Sequence, residues 1–537
     1  MLAAAATDNT IALVIALIAA VAALALLAEK LRLPYPILLV IGGLFISLIP
    51  NLPSVSISPT LVFYVFLPPI LYWAGLMTSW RDFVQNIRPI LLLAVGAVLM
   101  TTFAVAGVAY ALVPGMTFAA ACVLGAIVSP PDAVAATTVT ERMTVPRRIT
   151  SILEGESLVN DATALVALAF AITAVRVGTF SLPAASLQFI YLAVGGTAIG
   201  LIVGWLATHV RKRVHAPHVE GVVSLLTPYF AYLPAEAAHT SGVLAAVAAG
   251  VFMSRQLPKA FSAESRMRQA SVWETLIFIL NGTVFILIGL HLPVVVTNLR
   301  GQDVSVGALI VQSLVISAAA IGVRMLWIFA TAWASRLIPG LATRDPFPSA
   351  GVLVVIGWAG MRGIVSLAAA LAVPLTISAD TPFPARDKII FITFVVILVT
   401  LVLQGLTLPL VIRWAKLAAD GSQSIEERQA RLDAAHAAMS RLSVIESEDN
   451  IDPVLIERVR NDYADRIKAL GGTMKDAIDP TLAAPQEQAR HVRQQMIDAE
   501  RAMITMLRDQ RVIGDDVLRQ ILREIDLEEA KLTYTEL

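Results

Sequence analysis

The sequence predicts an all-α polytopic membrane protein with a cytoplasmic helical tail, and this prediction rests on composition and on the distribution of charge. Of the 537 residues, 57% are apolar and 15% are charged, against roughly 45–50% and about 25% in soluble domains. Residues 1–416 carry 24 basic and 16 acidic side chains, whereas 417–537 carry 16 and 24. A purely soluble enzyme is therefore excluded, and the change of sign divides the chain into a transmembrane domain, 1–416, and an acidic helical domain, 417–537.

Thirteen runs in the transmembrane domain approach the length of about 20 mostly apolar residues that a spanning helix needs. They lie at 10–28, 36–50, 59–78, 89–113, 116–140, 149–175, 185–209, 220–233, 237–254, 272–296, 304–335, 349–375 and 389–412. The second and eighth runs are short. Pro228 and Pro234 make the boundary between the eighth and ninth runs uncertain. These two runs could instead form one broken helix, and the number of spanning helices would then be even.

The charges of the connecting loops predict the orientation. Alternate loops, counted from the end of the first run, hold eighteen lysines and arginines in one set and four in the other. Cytoplasmic loops collect these residues, so we expect thirteen crossings of the cell membrane, with the N-terminus outside and the tail in the cytoplasm. The two remaining basic residues, Arg324 and Arg362, lie inside runs, where ionisable groups mark functional sites by default.

The fifth run is interrupted at its middle by Pro130 and Pro131, which precede Asp132. Consecutive prolines remove two backbone donors and disfavour helix at the residue before them, so the helix is predicted to break here. Such a break frees carbonyls and helix ends that can coordinate a cation. A simple proline kink is the alternative, but a carboxylate at the break favours a cation site.

The sixth run places polar side chains on two faces of one predicted helix. Glu154, Ser157 and Asp161 share a stripe at i, i+3 and i+7, whereas Glu156 and Asn160 form a second stripe at i, i+4. The oxygens of Asp161 and Ser157 suit a small hard cation. Glu154, on the same stripe, is a candidate for a cytoplasmic funnel leading to them.

The two stripes predict different tasks. Asp161, Ser157 and Asp132 are the candidate ligands of a bound metal cation, whereas Glu156 requires a basic partner from another helix. Arg324 in the eleventh run lies at suitable depth for this pairing. The alternative is a salt-bridged seam that serves packing alone. The four carboxylates of the fifth and sixth runs outnumber the two arginines, which favours a binding site.

The twelfth run holds Arg362 among three glycines in residues 357–363, so a second unwound segment is predicted there. The fifth and twelfth runs are seven apart and therefore opposite in orientation. An inverted repeat of six helices would relate runs in this way. Close helix packing through small residues is the alternative for the glycines, and it would still leave Arg362 in need of a partner.

Four segments resemble motifs of the monovalent cation/proton antiporter-1 family, the sodium/proton exchangers. The likeness spans roughly residues 10–415, and its most specific element is the Asn-Asp pair that follows Gly-Glu-Ser. The segments are 66–71 (Phe-Leu-Pro-Pro-Ile-Leu), 155–161 (Gly-Glu-Ser-Leu-Val-Asn-Asp), 232–236 (Tyr-Leu-Pro-Ala-Glu) with 241–245 (Ser-Gly-Val-Leu-Ala), and 360–363 (Gly-Met-Arg-Gly).

The resemblance implies a homodimeric antiporter with thirteen helices, two crossed broken helices, and a six-helix core that moves against a dimerisation scaffold. One departure is Trp73, which stands where several relatives have an acidic residue, so a carboxylate ligand from the third helix is in doubt. The resemblance implies that Asp161 is the aspartate that binds the ion and the proton, that Asn160 is its partner, and that Ser157 is a cation ligand. It implies that Asp132 is the acid of the first broken helix and Arg362 the arginine of the second. Glu156 and Arg324 are the implied structural ion pair.

A single carboxylate that binds either a proton or a cation is sufficient for exchange. Moving an empty, charged Asp161 past a hydrophobic barrier is costly, whereas either loaded form is closer to neutral, so only loaded states should cross. The resemblance further implies electroneutral one-for-one exchange, because Asn160 stands where electrogenic relatives have a second aspartate.

The expected partners are protons, monovalent cations, the lipid bilayer and a second copy of the chain, with no cofactor. Sodium or lithium is the expected cation, and potassium/proton exchange on the same scaffold is the main alternative. A cation channel would need a continuous filter. A membrane-embedded enzyme would need a catalytic motif such as His-Glu-x-x-His or Gly-x-Ser-x-Gly within a span. The single cysteine, Cys122, excludes a disulfide framework and is expected to be a packed, inert thiol.

The acidic tail alternates charged and apolar residues in helical fashion and is interrupted by Pro453, residues 471–472, Pro480 and Pro485. Helices are predicted at about 424–447, 453–470, 485–511 and 514–531. The last has Val517, Ile521, Ile525 and Leu527 on or near one face, which indicates packing against a partner. The negative charge argues against binding of nucleic acid or anionic lipid. A regulatory or dimer-supporting domain and a passive tail are both open.

Overall fold

The computed structural model describes residues 2–31, 33–49, 59–140, 143, 145–178, 182–214, 216–260, 263–300, 305–337, 348–378, 381–417, 422–448, 452–470 and 486–534. Most of these residues are helical, as the sequence predicts. Some residues that enter the predictions lie outside the described ranges: the loop arginines Arg32, Arg142 and Arg344, and the tail breaks Gly471, Gly472, Pro480 and Pro485.

Apart from the short helix α4, the described helices of the membrane domain overlap the predicted runs. They are α1 (Leu2–Leu31), α2 (Tyr35–Ser47), α3 (Pro59–Met77), α4 (Trp80–Gln85), α5 (Ile87–Leu112), α6 (Phe118–Val128), α7 (Ala133–Thr140), α8 (Arg147–Val177), α9 (Leu182–Arg211), α10 (Pro217–Ala237), α11 (Gly242–Ala260), α12 (Ala263–Arg300), α13 (Val306–Ala334), α14 (Ala350–Trp358), α15 (Ile364–Leu371) and α16 (Arg386–Trp414).

Eight of the described helices are long and apolar enough to cross a bilayer, and α2, α6 and α11 contribute shorter apolar segments. Helices α10 and α11 are separate and pack side by side, joined by a turn in which His239 has a φ of 53°. Pro228 and Pro234 both lie inside α10. The number of crossings and the inverted repeat stay predictions.

Three local features were not predicted from the sequence. Short helix α4 lies between α3 and α5, and an antiparallel pair of strands, β1 (Thr376–Ser378) and β2 (Thr381–Pro382), joins α15 to α16. Helices α3, α5 and α16 each contain a π-helical turn, the last at Thr400–Gln404. Such turns arise from an extra residue in the helical ladder and are frequent at functional sites.

The helices pack as two bundles. Helices α5 to α8 and α13 to α16 contact one another extensively and form the core bundle, whereas α1 to α3 and α9 to α12 form the scaffold bundle. Within the scaffold, Gly43 lies against the backbone of Ile286 and Gly289, and Gly75 lies against Val247, with no room for a side chain at either glycine. Small residues let helix backbones approach closely where lipid provides no hydrophobic driving force.

The tail forms four helices, α17 (Ser422–Glu448), α18 (Pro453–Ala469), α19 (Gln486–Asp509) and α20 (Asp515–Tyr534). They enclose two apolar clusters of their own. Val517, Ile521 and Ile525 are buried in one of these clusters, so the partner of this face is the rest of the tail, whereas Leu527 is half exposed. The division of the chain at residue 416 stays a prediction.

Candidate cation and proton site

The two interrupted helices of the core bundle meet at their breaks. The chain leaves helix at 129–132 between α6 and α7 and at 359–363 between α14 and α15. The backbone N–H of Asp132 donates to the carbonyl of Met361 at 2.6 Å. In return, the Arg362 side chain donates from Nε to the carbonyl of Val128 at 3.0 Å. Each break therefore satisfies backbone groups that the other break has freed, which is the condition for unwound chain at membrane depth.

Asp132 lies at the N-terminal ends of two helices. Its Oδ1 accepts the N–H of Val134 in α7 at 2.9 Å, and its Oδ2 accepts the N–H of Ile364 in α15 at 3.4 Å. The N-terminus of a helix carries partial positive charge, so both contacts stabilise the carboxylate as an anion. A side chain at Gly363 would overlap this carboxylate, so only glycine fits there.

Arg362 lies at helix C-termini, whereas Asp132 lies at helix N-termini. The side chain is fully buried and forms no ion pair with any residue in the described ranges. Instead, Nε and Nη1 donate to the carbonyls of Val128 and Gly360, at the C-terminal ends of α6 and α14. These ends carry partial negative charge. The partners of Arg362 are thus backbone carbonyls, and the crossing holds one acid at two helix N-termini and one base at two helix C-termini.

Glu156 and Arg324 form a bidentate ion pair between α8 and α13. Nη1 donates to Oε1 at 2.5 Å and Nη2 donates to Oε2 at 2.7 Å, and both side chains are at most 2% exposed. Arg324 also donates to the carbonyl of Ile356 in α14. Two parallel charge-assisted hydrogen bonds fix the relative position of the helices. Arg324 is the partner that the sequence predicts for Glu156, because the two residues lie at similar depth in their runs.

Asp161 differs from the other charges around the two breaks of the core bundle. Its side chain is only 6% exposed, yet it forms no hydrogen bond or ion pair with another residue in the described part of the chain. The carboxylate of Asp132 is close enough to interact with it electrostatically. A buried carboxylate without a protein partner is costly, and binding of a proton or a cation would relieve that cost.

Asn160, next to Asp161, joins the site to the first break. Its Nδ2 donates to the carbonyl of Pro131 at 2.8 Å, whereas its Oδ1 is buried with no partner among the described residues. Ser157 lies one turn before Asp161 on α8 and is half-buried. Glu154 is half-buried and has a partner of its own, so its assignment to a funnel stays a prediction.

The candidate ligands do not form a dense acidic cluster. No three His, Cys, Asp or Glu side chains converge within the residues that the structure describes. Asp161, Asp132 and Ser157 therefore offer two carboxylates and one hydroxyl, and the Oδ1 of Asn160 is a further oxygen. Their roles as ligands stay predictions.

Two polar residues of α16, Thr400 and Gln404, were missed in the sequence, and Thr400 contacts the second break. Thr400 accepts the backbone N–H of Arg362 at 3.1 Å and donates to the carbonyl of Val396. Gln404 is fully buried, and neither polar atom of its side chain has a partner among the described residues. Both belong to the π-helical turn. Their uncharged side chains lie in a strongly apolar run, where hydropathy gives no indication of them.

Trp73 fills the position at which an acidic ligand was in doubt. Its ring stacks on that of Trp273 in α12, with centroids 5.9 Å apart and planes 15° apart. The side chain thus belongs to the packing of α3 against α12. Cys122 is partly buried and lines an apolar cavity of about 550 Å³ between α5, α6, α8 and α9.

Comparisons with known proteins match this architecture. Residues 14–414 match the family model described as sodium/hydrogen exchanger, transmembrane. An uncharacterised Na⁺/H⁺ exchanger of Mycobacterium tuberculosis is 37% identical to this chain, and the alignment covers 97% of this chain and 95% of that relative. A sodium, potassium, lithium and rubidium/H⁺ antiporter of Bacillus pumilus is 32% identical, over 81% of this chain and 66% of its own.

Among solved structures, the sodium proton antiporter MjNhaP1 of Methanocaldococcus jannaschii at pH 8 has a similar fold. It superposes with a TM-score of 0.57 at 20% identity, across 75% of this chain and 97% of that one. At this identity the likeness concerns the fold alone.

Proposed function

The chain belongs to the sodium/hydrogen exchanger family of multi-pass membrane transporters, not to a family of enzymes, and on this premise we propose that it exchanges Na⁺ or Li⁺ for protons by alternating access, with Asp161 as the shared binding group. The observation that carries the proposal is the contrast between Asp161 and the other charges around the two breaks of the core bundle. Asp132, Glu156, Arg324 and Arg362 all have protein partners, whereas Asp161 has none in the described ranges.

Competition for one carboxylate couples the two ions. Sodium and a proton cannot both neutralise Asp161, so binding of one releases the other. The empty site would leave unpaired charge to be moved against the apolar interior, at a cost of several kcal/mol. Only the loaded states then cross, and no second coupling site is needed.

One cation per proton is the proposed stoichiometry. The neighbour of Asp161 is an amide, Asn160, whose Nδ2 is engaged by the Pro131 carbonyl. Its side chain adds no negative charge, and Asp132 is held as an anion by two helix N-termini, so Asp161 alone exchanges one proton for one cation. In proteoliposomes, an exchange rate that does not change when the membrane potential is set with valinomycin and potassium would support this stoichiometry.

We place the protein in the cell membrane, with the N-terminus outside and the tail in the cytoplasm, as a homodimer. The distribution of loop cations supports this orientation, and the family resemblance supports the dimer. Arg81, Arg147 and Arg266, near the starts of α4, α8 and α12, form ion pairs with acids of the tail, so these helix ends lie at the same end of the bundles as the tail.

Potassium/proton exchange is the second candidate. The Bacillus relative whose name includes potassium and rubidium is 32% identical to this chain over the aligned residues, which are 66% of the relative. Hydroxyl, amide and carboxylate oxygens around Asp161 suit any hard monovalent cation, so selectivity depends on the size of the site.

Measurement of proton release from acid-loaded proteoliposomes with a pH-sensitive dye tests both candidates. Sodium, lithium and potassium are added in turn, and we expect sodium and lithium to dissipate the gradient. Asp161→Asn should abolish the response to every cation. The matched control is Glu274→Gln, the same change at an exposed acid of α12, which should leave exchange intact. Exchange retained in the Asp161→Asn protein would refute the assignment.

A further inference from the structure

The acidic tail contacts both bundles at one end of the membrane domain. On the core side, Asp516 of α20 and Glu426 of α17 face Arg147, at 3.0 and 3.7 Å, and Arg147 is also 2.7 Å from Asp82. Arg147 is the first residue of α8, the helix that carries Asp161. The tail is therefore joined by charge to the helix of the proposed binding site.

The segment between α3 and α5 takes part in the same contact. Asp515 accepts the backbone N–H of Trp80 at 2.9 Å. Arg81 donates to Glu426 at 3.2 Å and to the carbonyl of Val512 at 3.1 Å. The N-terminal end of α20 thus lies against α4 and the first residue of α8.

On the scaffold side, Asp526 of α20 forms a bidentate ion pair with Arg266 near the start of α12, with 2.8 Å between Nε and Oδ2. Asp526 is only 2% exposed. Arg508 of α19 donates twice to the carbonyl of Arg255 in α11, at 3.3 Å each. These contacts hold the tail to two helices of the scaffold bundle.

The two sets of contacts are made by one stiff element. Ten residues separate Asp516 from Asp526, which is about 15 Å along a helix, and α20 is packed into the apolar cluster of the tail. A displacement of the core bundle against the scaffold by a few ångström would stretch one set of ion pairs while the other is kept. The tail can satisfy both sets only in the arrangement seen here.

We infer that the tail is an intramolecular clamp: α20 bridges Arg147 of the core bundle and Arg266 of the scaffold bundle and so restrains the movement that exchange requires. This inference rests on the proposed function, because alternating access is the movement that it restrains. Four acids of the tail, Glu426, Asp515, Asp516 and Asp526, contact this end of the membrane domain.

The test uses the full-length protein in proteoliposomes, with two measurements on each variant. Turnover is measured with the pH-sensitive dye, and docking is measured by amide hydrogen exchange of residues 515–534. Arg266→Gln should increase hydrogen exchange in α20 and raise turnover about fivefold or more, with the KM for sodium unchanged because the binding site is untouched. Asp526→Asn, which also removes a 3.5 Å contact to Arg501 within the tail, should do at least the same. Adding Arg266→Gln to it should change neither measurement further, since both changes break the Arg266–Asp526 pair.

Arg523→Gln is the matched control, because Arg523 is an exposed residue of the same helix with no partner among the described residues. It should change neither measurement. Arg266 lies in the membrane domain, so its variant tests the clamp even where Asp526→Asn disturbs the fold of the tail. Increased hydrogen exchange in α20 with unchanged or slower turnover would overturn the clamp. Absence of exchange in the unmodified protein with every cation would instead overturn the proposed function.

Discussion

Glu156 and Asp161 lie five residues apart on α8, and both are buried, yet their surroundings are opposite. Glu156 is held by two hydrogen bonds from Arg324, whereas Asp161 has no partner in the described ranges. A paired buried carboxylate has its charge neutralised and fixes the packing of helices. An unpaired one keeps its capacity to bind a proton or cation. The same residue chemistry thus serves architecture at one position and transport at the other, and the difference is decided by the neighbouring helix.

The largest expected effect is that of Asp161→Asn, which should differ from Glu156→Gln in both exchange activity and thermal stability. Asp161→Asn should reduce cation-driven proton movement below detection while leaving thermal stability unchanged or higher, because an unpaired buried charge is removed. Exchange in proteoliposomes and thermal unfolding in detergent give the two values. A variant that loses activity only because it unfolds would remove the contrast with Glu156.

Glu156→Gln should lower thermal stability more than it lowers exchange activity. The substitution leaves the buried Arg324 guanidinium with neutral partners only, the new amide and the Ile356 carbonyl, and breaking a buried pair in this way costs about 3–5 kcal/mol. Thermal unfolding should therefore occur at a lower temperature. Replacing both residues, by Gln at Glu156 and Met at Arg324, should recover part of the loss, since no uncompensated charge remains. Unchanged thermal stability in the Glu156→Gln protein would show that the pair is not structural.

An intermediate effect is expected at Asn160, which lies between the two carboxylates in sequence. Asn160→Ala removes the hydrogen bond to the Pro131 carbonyl and leaves that carbonyl unsatisfied, at about 1–3 kcal/mol. Both stability and exchange rate should fall, since the break supports Asp132. Asn160→Asp is the comparison variant, and it should make the exchange rate depend on membrane potential. Potential-independent exchange in that variant would count against the proposed stoichiometry.

The smallest effect is expected at Ser157. If its hydroxyl is a cation ligand, Ser157→Ala should raise the KM for sodium about fivefold, since one net contact is worth about 1 kcal/mol, with the maximal rate little changed. Ser151→Ala, at another half-buried serine on the first turns of α8, is the control. A KM for sodium equal to that of the unmodified protein would remove Ser157 from the ligand set.

Much of the fold was predictable because its determinants are local. Apolar runs of spanning length gave the helices, and the prolines before Asp132 and the glycines around Arg362 gave the two breaks. Hydropathy could not reveal Thr400 and Gln404, because uncharged polar side chains barely change the average of an apolar run. The pairing of Glu156 with Arg324 was accessible only because two charges at similar depth are rare in a membrane segment.

The sequence by itself determined the class of the protein, the positions of its membrane helices and the motif that carries Asp161, since hydrophobicity, proline and glycine act on the chain where they stand. The tertiary structure decided how each charge is used. It placed Asp132 at the N-termini of α7 and α15, gave backbone carbonyls to Arg362, left Asp161 without a partner in the described ranges, and brought Asp526 onto Arg266. The physical reason is that electrostatic energy depends on distance in space. The pairs Asp132 with Ile364, Arg362 with Val128, and Asp526 with Arg266 are each more than 200 residues apart in the sequence.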